Sequence, residues 1–258
     1  METKGKTKTK KIILQDRDHE MLRYVLEQKF MSREQVTRWF YKSFIQSQKR
    51  LRELILSGYL KKEPVALSSK DHFLITGLGL RVLAERGVNG IRPASSIDIR
   101  FYFHDRIVTD LRLLFESIGL ARDWKSEKIL RSELSSLKVP DGVFLSPADK
   151  KIAFELELTP KVTRLYGNIL SGYQGVDNVF YVVRGGDLFG RLRRIVTGEG
   201  INTKTEMGKA EERESKRAAK NRDKILLCRL EDIEKDPLNA VVFWGYKTKT
   251  IKELIDAK

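Results

Sequence analysis

The sequence predicts an α/β protein, α+β over its whole length, built as two domains. Three observations carry that prediction. Up to about Arg86, apolar residues recur mostly at helical spacing, interrupted by two short strands. From Trp124 onward, strand periodicity returns repeatedly between helical stretches. The chain, at 258 residues, is also long enough for two separate cores.

Charge narrows the partner. There are 50 Lys and Arg against 35 Asp and Glu, a net charge of +15. Residues 1–100 hold 21 basic and 11 acidic side chains, so about +10 of the excess lies there. That asymmetry points to a polyanion. Cys228 is the single cysteine and sits in the apolar run Ile225–Leu230, which excludes an intramolecular disulfide or a cysteine-rich zinc site. No apolar run approaches a membrane span and no signal peptide is visible, so the expected location is cytoplasmic, with no membrane partner. A Gly-rich phosphate loop, a nucleophile elbow and a zinc motif are all missing, and no small-molecule substrate is expected.

Lys4, Lys6, Lys8, Lys10 and Lys11 form a basic arm over residues 1–11, either touching phosphates or simply solvated. A helix starts near Asp16 and buries Met21, Leu22, Val25 and Leu26. Ser32, with Gln35 three residues on, is a capping-box start for a helix containing Val36, Trp39 and Phe40. The next helix, Ser43 to Ser57, is read with Phe44, Ser47, Leu51, Leu54 and Ile55 on its core side. Gln46, Lys49, Arg50 and Glu53 then face outward, and Gly58 supplies the left-handed stop. Two strands, 59–65 and 72–76, follow around a basic loop, and a helix from Gly77 to Arg86 closes the domain.

This order resembles a winged helix-turn-helix domain over residues 12–87, and Ile55-Leu-Ser-Gly-Tyr-Leu-Lys-Lys62 is similar to its recognition-helix-to-wing junction. The resemblance implies binding of double-stranded DNA. Gln46, Lys49 and Arg50 would be the readers, and Lys42, Lys61, Lys62 and Lys70 the phosphate contacts. A solvated helix face used for protein contacts is the competing reading. Such domains commonly dimerise to read two half-sites, and a homodimer and a monomer both stay open.

Residues 88–98, which carry Gly90 and Pro93 just after Gly87, read as a linker into a second domain at 99–258. His104-Asp105-Arg106 opens a helix with Ile107, Leu111, Leu114, Phe115 and Ile118 at helical spacing. Trp124 to Leu130 reads as a strand or strand end carrying Glu127, either a further metal ligand or an ordinary surface acid. Thr159 caps and Pro160 begins a helix running to Tyr173. Val179–Val183 is a buried strand, followed by a helix through Phe189 and Leu192. Residues 199–224 break the pattern and are expected to be a charged loop or loosely held helix. Ile225–Leu230 and Val241–Gly245 close the domain as strands.

The chemistry concentrates in Pro140-Asp141-Gly142-Val-Phe-Leu and Lys151-Ile-Ala-Phe-Glu155-Leu-Glu157-Leu158. At a period of two, Ile152, Phe154, Leu156 and Leu158 share one face, and Glu155 and Glu157 leave the other. Converging acids are costly to bury unless paired or bound to a cation, so Asp141, Glu155 and Glu157 are candidate metal ligands. Pairing with Arg164, Lys151 or other basic residues explains the same acids without a metal.

This unit resembles the core of the PD-(D/E)XK nucleases, a restriction-endonuclease-like α/β domain, with Glu157 where those enzymes keep a lysine. Lys161, at the second position of the next helix, is the candidate replacement. The resemblance implies catalytic roles for Asp141, Glu155, Glu157 and Lys161, with Mg²⁺ as cofactor if the site is active. His104-Asp105, Pro140-Asp141-Gly142, Glu155-Leu-Glu157, Thr159, Lys161, Arg164-Leu-Tyr166 and Tyr173 together resemble the replication-relaxation family of plasmid and mobile-element proteins. That likeness implies a DNA-binding protein in replication, mobilisation or transcriptional control, with a degenerate nuclease-like domain. The alternative is a metal-dependent endonuclease or nickase using Asp141, Glu155 and Lys161.

Overall fold

The computed structural model describes residues 12–133, 139–161, 173 and 175–257. The basic arm lies outside them, as does most of the helix expected between Pro160 and Tyr173, including Arg164 and Tyr166. The protein is mixed α/β and divides into two compact units at Leu113/Leu114.

In the first unit, α1 (Asp16–Glu27) buries Met21, Leu22, Val25 and Leu26 completely. A two-residue strand β1 (Met31–Ser32) leads into α2 (Arg33–Phe40). The capping box forms as spaced: the Gln35 N–H donates to Ser32 Oγ at 3.2 Å, and the Ser32 N–H donates to Gln35 Oε1 at 2.9 Å. Helix α3 (Phe44–Leu56) is capped by Ser43, whose hydroxyl accepts the Gln46 N–H. After it the chain turns at Gly58, whose φ of +81° disfavours any other residue. Strands β2 (Leu60–Val65) and β3 (Ser68–Ile75) then form a hairpin. The sheet order is β1-β3-β2, antiparallel throughout, with Met31 opposite Phe73 and Leu60 opposite Ile75. Helix α4 (Gly77–Ala84) adds Leu83 to the core.

Residues 88–98, expected as a linker, pack onto this unit. Val88 and Ile91 join the main core, Ala94 and Ile97 lie against Phe30, Val65, Leu74 and Tyr102, and the Ser95 carbonyl accepts from Lys61. The division instead falls inside α5 (Tyr102–Ser117). Two ion pairs hold the first part of α5 to the unit: Lys29 to Asp105 at 2.9 Å and the buried Arg112 to Glu27 at 2.6 Å.

The second unit is a seven-stranded mixed sheet in the order β10-β9-β8-β7-β6-β5-β4. Its strands are β4 (Arg122–Ser126), β5 (Gly142–Leu145), β6 (Lys151–Glu157), β7 (Asn178–Val183), β8 (Ile225–Arg229), β9 (Val241–Trp244) and β10 (Lys247–Thr250). Strands β6, β7 and β8 run parallel, and every other pairing is antiparallel. One face carries an aromatic core in which Phe115 meets Phe144, Phe154 and Phe180, and Trp124 stacks on Phe144 at 5.3 Å. The other face packs Ala153, Val179, Tyr181 and Val183 against α7 (Gly186–Thr197).

One expectation is corrected here, and two regions gain detail. Glu127 does not lie on a strand: it opens α6 (Glu127–Glu133), where it binds Arg131 one turn on, at 2.7 Å. Much of 199–224 is helical, as α8 (Glu206–Ala218) followed by a 3-10 turn (Ala219–Lys224). Helix α8 packs through ion pairs more than through apolar side chains, with the buried Glu211 gripping Arg194 at 3.0 Å. The chain also forms α9 (Leu230–Lys235), β10 and α10 (Ile251–Asp256), none of which hydrophobic periodicity announces. Cys228 is fully buried, and burial pushes its thiol pKa up to about 12, which keeps it protonated and unreactive at neutral pH. No helix among the described residues is long and apolar enough to cross a membrane.

Candidate nucleic-acid interface and acidic cluster

Helix α3 buries the expected stripe except at its start, where Phe44 leaves it. Its buried side chains are Ser47, Leu51 and Leu54, whereas Phe44 is 53% exposed. The face opposite this buried stripe therefore runs through Ile45, Gln48, Lys49, Arg52 and Leu56, all exposed, flanked by the exposed Lys42 and Gln46. Gln48 and Arg52 had not been singled out. The signal that finds them is the buried stripe itself, once Phe44 is taken off it.

Arg50, expected on the outward face, is engaged by the fold instead. Its guanidinium donates to the fully buried Asp18 at 2.6 and 3.1 Å, to Glu53 at 2.9 Å and to the Ile13 carbonyl at 2.7 Å. Those partners, the Asp18 bond foremost, outweigh partial burial and raise the Arg50 pKa further. A buried carboxylate needs such a partner, so Arg50 is bound to the fold. Tyr41, close by, has its phenol pKa pushed up to about 12, by burial first and by the Asp18 charge second.

The expected wing cations sit as follows. Lys61 contacts the Ser95 carbonyl at 2.7 Å and Glu63 at 3.3 Å. Lys62 meets Asp71 at 3.0 Å, and Lys70 meets Glu34 at 3.1 Å. These are solvent-exposed pairs of small energy, which a phosphate can displace. Between α3 and the sheet, Gln48, Leu51, Arg52, Ile55, Leu56, Phe73, Arg33 and Lys62 line a cleft of about 300 Å³, with an apolar floor and a cationic rim.

The second unit brings the candidate acids together. Gly142 pairs with Phe154 in the β5–β6 register, and one step further along that register Asp141 stands beside Glu155. Gly142 is required there: a Cβ would lie 2.4 Å from the Trp124 ring. The Asp141 carboxylate accepts the Leu156 N–H at 2.9 Å. Glu157, only 4% exposed, is paired with Lys161 at 2.6 Å. Burial opposes the Lys161 ammonium, yet the hydrogen bond to Glu157 and the charges of Glu157, Glu155 and Asp141 outweigh it and raise its pKa. Lys161 therefore lies in the field of all three acids. His104 is in the first unit, beside Asp105, with Nδ1 at 3.5 Å from that carboxylate.

Part of this donor set is already engaged. Mg²⁺-type ions need open oxygen ligands. Here one Asp141 oxygen is taken by a backbone N–H, and Glu157 is closed off by an ammonium. Among the described residues, no three His, Cys, Asp or Glu side chains are grouped so as to hold a metal. The arrangement is a lysine-neutralised carboxylate cluster at the end of a buried strand.

Comparison with family models, curated proteins and solved structures finds no match to this chain. The protein belongs to the mixed α/β class, and the finer reading rests on its own residues.

Proposed function

We propose that this chain is a DNA-binding protein of a plasmid or mobile element, acting in the cytoplasm in replication, mobilisation or transcriptional control. In this reading, which keeps the likeness to the replication-relaxation family, the first unit works as a winged helix-turn-helix. The second is a restriction-endonuclease-like core with a degenerate site. One observation carries it: the outward face of α3 is polar and cationic, through Gln48, Lys49 and Arg52 flanked by Lys42 and Gln46, beside a lysine-bearing hairpin.

A helix presented in this way enters the major groove, where Gln amides pair with adenine and Arg or Lys with guanine. Lys42, Lys61, Lys62 and Lys70 neutralise phosphates, releasing counterions and supplying most of the affinity. A homodimer would place two such helices on two half-sites.

The test is fluorescence anisotropy with duplex DNA across a salt series. Replacing Lys42, Lys49 and Arg52 together by Ala should weaken binding at least ~10-fold and flatten the log K against log salt slope by about 2–3. All three side chains are exposed, so the variant should fold normally. An unchanged affinity and slope would place the DNA elsewhere.

The non-catalytic reading of the second unit rests on Glu157 standing where PD-(D/E)XK nucleases keep a lysine. Lys161, paired with Glu157 at 2.6 Å and in the field of Glu155 and Asp141, is what the nuclease alternative would use in its place. Supercoiled plasmid incubated with the protein and Mg²⁺ or Mn²⁺ should stay intact. Nicking by wild type that disappears in Asp141→Ala and Glu155→Ala would restore the nuclease.

A further inference from the structure

Two of the most exposed apolar side chains of the first unit stand together where α3 begins: Ile45 is 77% exposed and Phe44 is 53% exposed. They follow the Ser43 cap directly, so they occupy the first turn of the helix. Phe44 is steadied from behind, since the Arg33 guanidinium lies 5.8 Å from its ring centroid while also pairing with Asp71. Ile45 lies on the outward stripe with Gln48, Lys49 and Arg52, and Lys42 precedes it.

We infer that Ile45, with Phe44 beside it, reads thymine through its C5-methyl group in the major groove. The inference rests on the DNA-binding reading above and adds the base that the helix start selects. The N-terminal residues of a groove-bound helix are those that meet base edges. Ile45 has no donor or acceptor, so it cannot pair with any base by hydrogen bonding. The apolar feature that the major groove offers is the thymine methyl. The surrounding charges argue for DNA as the occupant: Lys42 and Lys49 flank the apolar pair and match phosphates on either side of a base edge. A protein partner would have to cover the same cations with acids.

The experiment selects tight-binding duplexes from a random library with the full-length protein. The best duplex is then remade with deoxyuridine for thymidine, which removes only the methyl groups. Wild type should lose about fourfold in affinity for each contacted methyl, the value of one buried carbon. Ile45→Ala should bind the thymidine duplex more weakly and lose most of its preference for thymidine over deoxyuridine. The exposure of Ile45 makes that variant safe for folding, and its melting curve serves as the control.

Equal wild-type affinity for the two duplexes, both bound tightly, overturns the thymine inference and leaves DNA binding standing. Equal losses for Ile45→Ala on both duplexes overturn it as well, because Ile45 would then touch the sugar-phosphate backbone. Failure to bind any selected duplex overturns both readings.

Discussion

Arg112→Met is expected to destabilise the first unit by about 3–5 kcal/mol, the cost of leaving one partner of a buried ion pair alone. Arg112 is 1% exposed and sits 2.6 Å from Glu27, which is 5% exposed. Its guanidinium also lies over the Tyr24 ring, 4.4 Å from the centroid, so aromatic packing is lost with the charge. With methionine at 112, Glu27 is left at 5% exposure without that partner, the nearest other cation among the described pairs being Arg23 at 3.9 Å. The double variant Glu27→Met/Arg112→Met should recover most of the loss, because two well-packed apolar side chains often equal or exceed a buried pair. Urea denaturation of the four proteins gives the coupling directly. A single variant as stable as wild type would mean that solvent reaches the pair, contrary to the burial of both side chains.

Arg112 also shows where sequence reading stops. The stripe Ile107, Leu111, Leu114, Phe115 and Ile118 is legible in α5 because apolar spacing is its signal. A buried arginine between those residues has no such signal, since arginine is almost never fully buried without a partner far away in sequence. Arg50 is a second case: its partner, Asp18, is 32 residues away, so spacing alone places it on the outward face of α3. Local features were legible: the Ser32 and Gln35 box, the turn at Gly58, and the alternation that puts Glu155 and Glu157 on one face of β6. What escaped was structure held by long-range polar contacts. Helix α8 is one example, fixed through Glu211 to Arg194. Strand β10 is another: its Lys-Thr-Lys-Thr sequence has no apolar alternation, and it exists by pairing with β9. Within the acidic cluster, the residues and their shared face could be read from spacing. Lys161, one turn past the strand end, is also expected within reach of the acids, and the structure sets its ammonium 2.6 Å from Glu157.

That pairing is the source of the second large effect. Lys161→Met should destabilise the second unit by about 1–3 kcal/mol at neutral pH, less than a fully buried pair because the lysine side chain is 40% exposed. Glu157 would then keep its charge at 4% exposure, beside Glu155 and Asp141, without the ammonium that offsets it. The pH dependence has a definite sign. The folded pKa of Lys161 lies above its ordinary value of 10.5, so the stabilisation is complete below that value. It is lost as pH rises through the folded pKa, because the unfolded chain gives up this proton first. The stability gap between wild type and Lys161→Met should therefore hold from neutrality up to 10.5 and shrink only as pH rises above that value. Lys161→Arg, which keeps the charge, should lie close to wild type across the same range if its longer fork reaches Glu157. Paired denaturation curves at several pH values decide it. A gap that is absent at neutral pH, or that grows in alkali, would show that the ammonium does not hold the acids together. Lys161 would then not stand in for the lysine that Glu157 displaces, and the nuclease alternative would lose its main support.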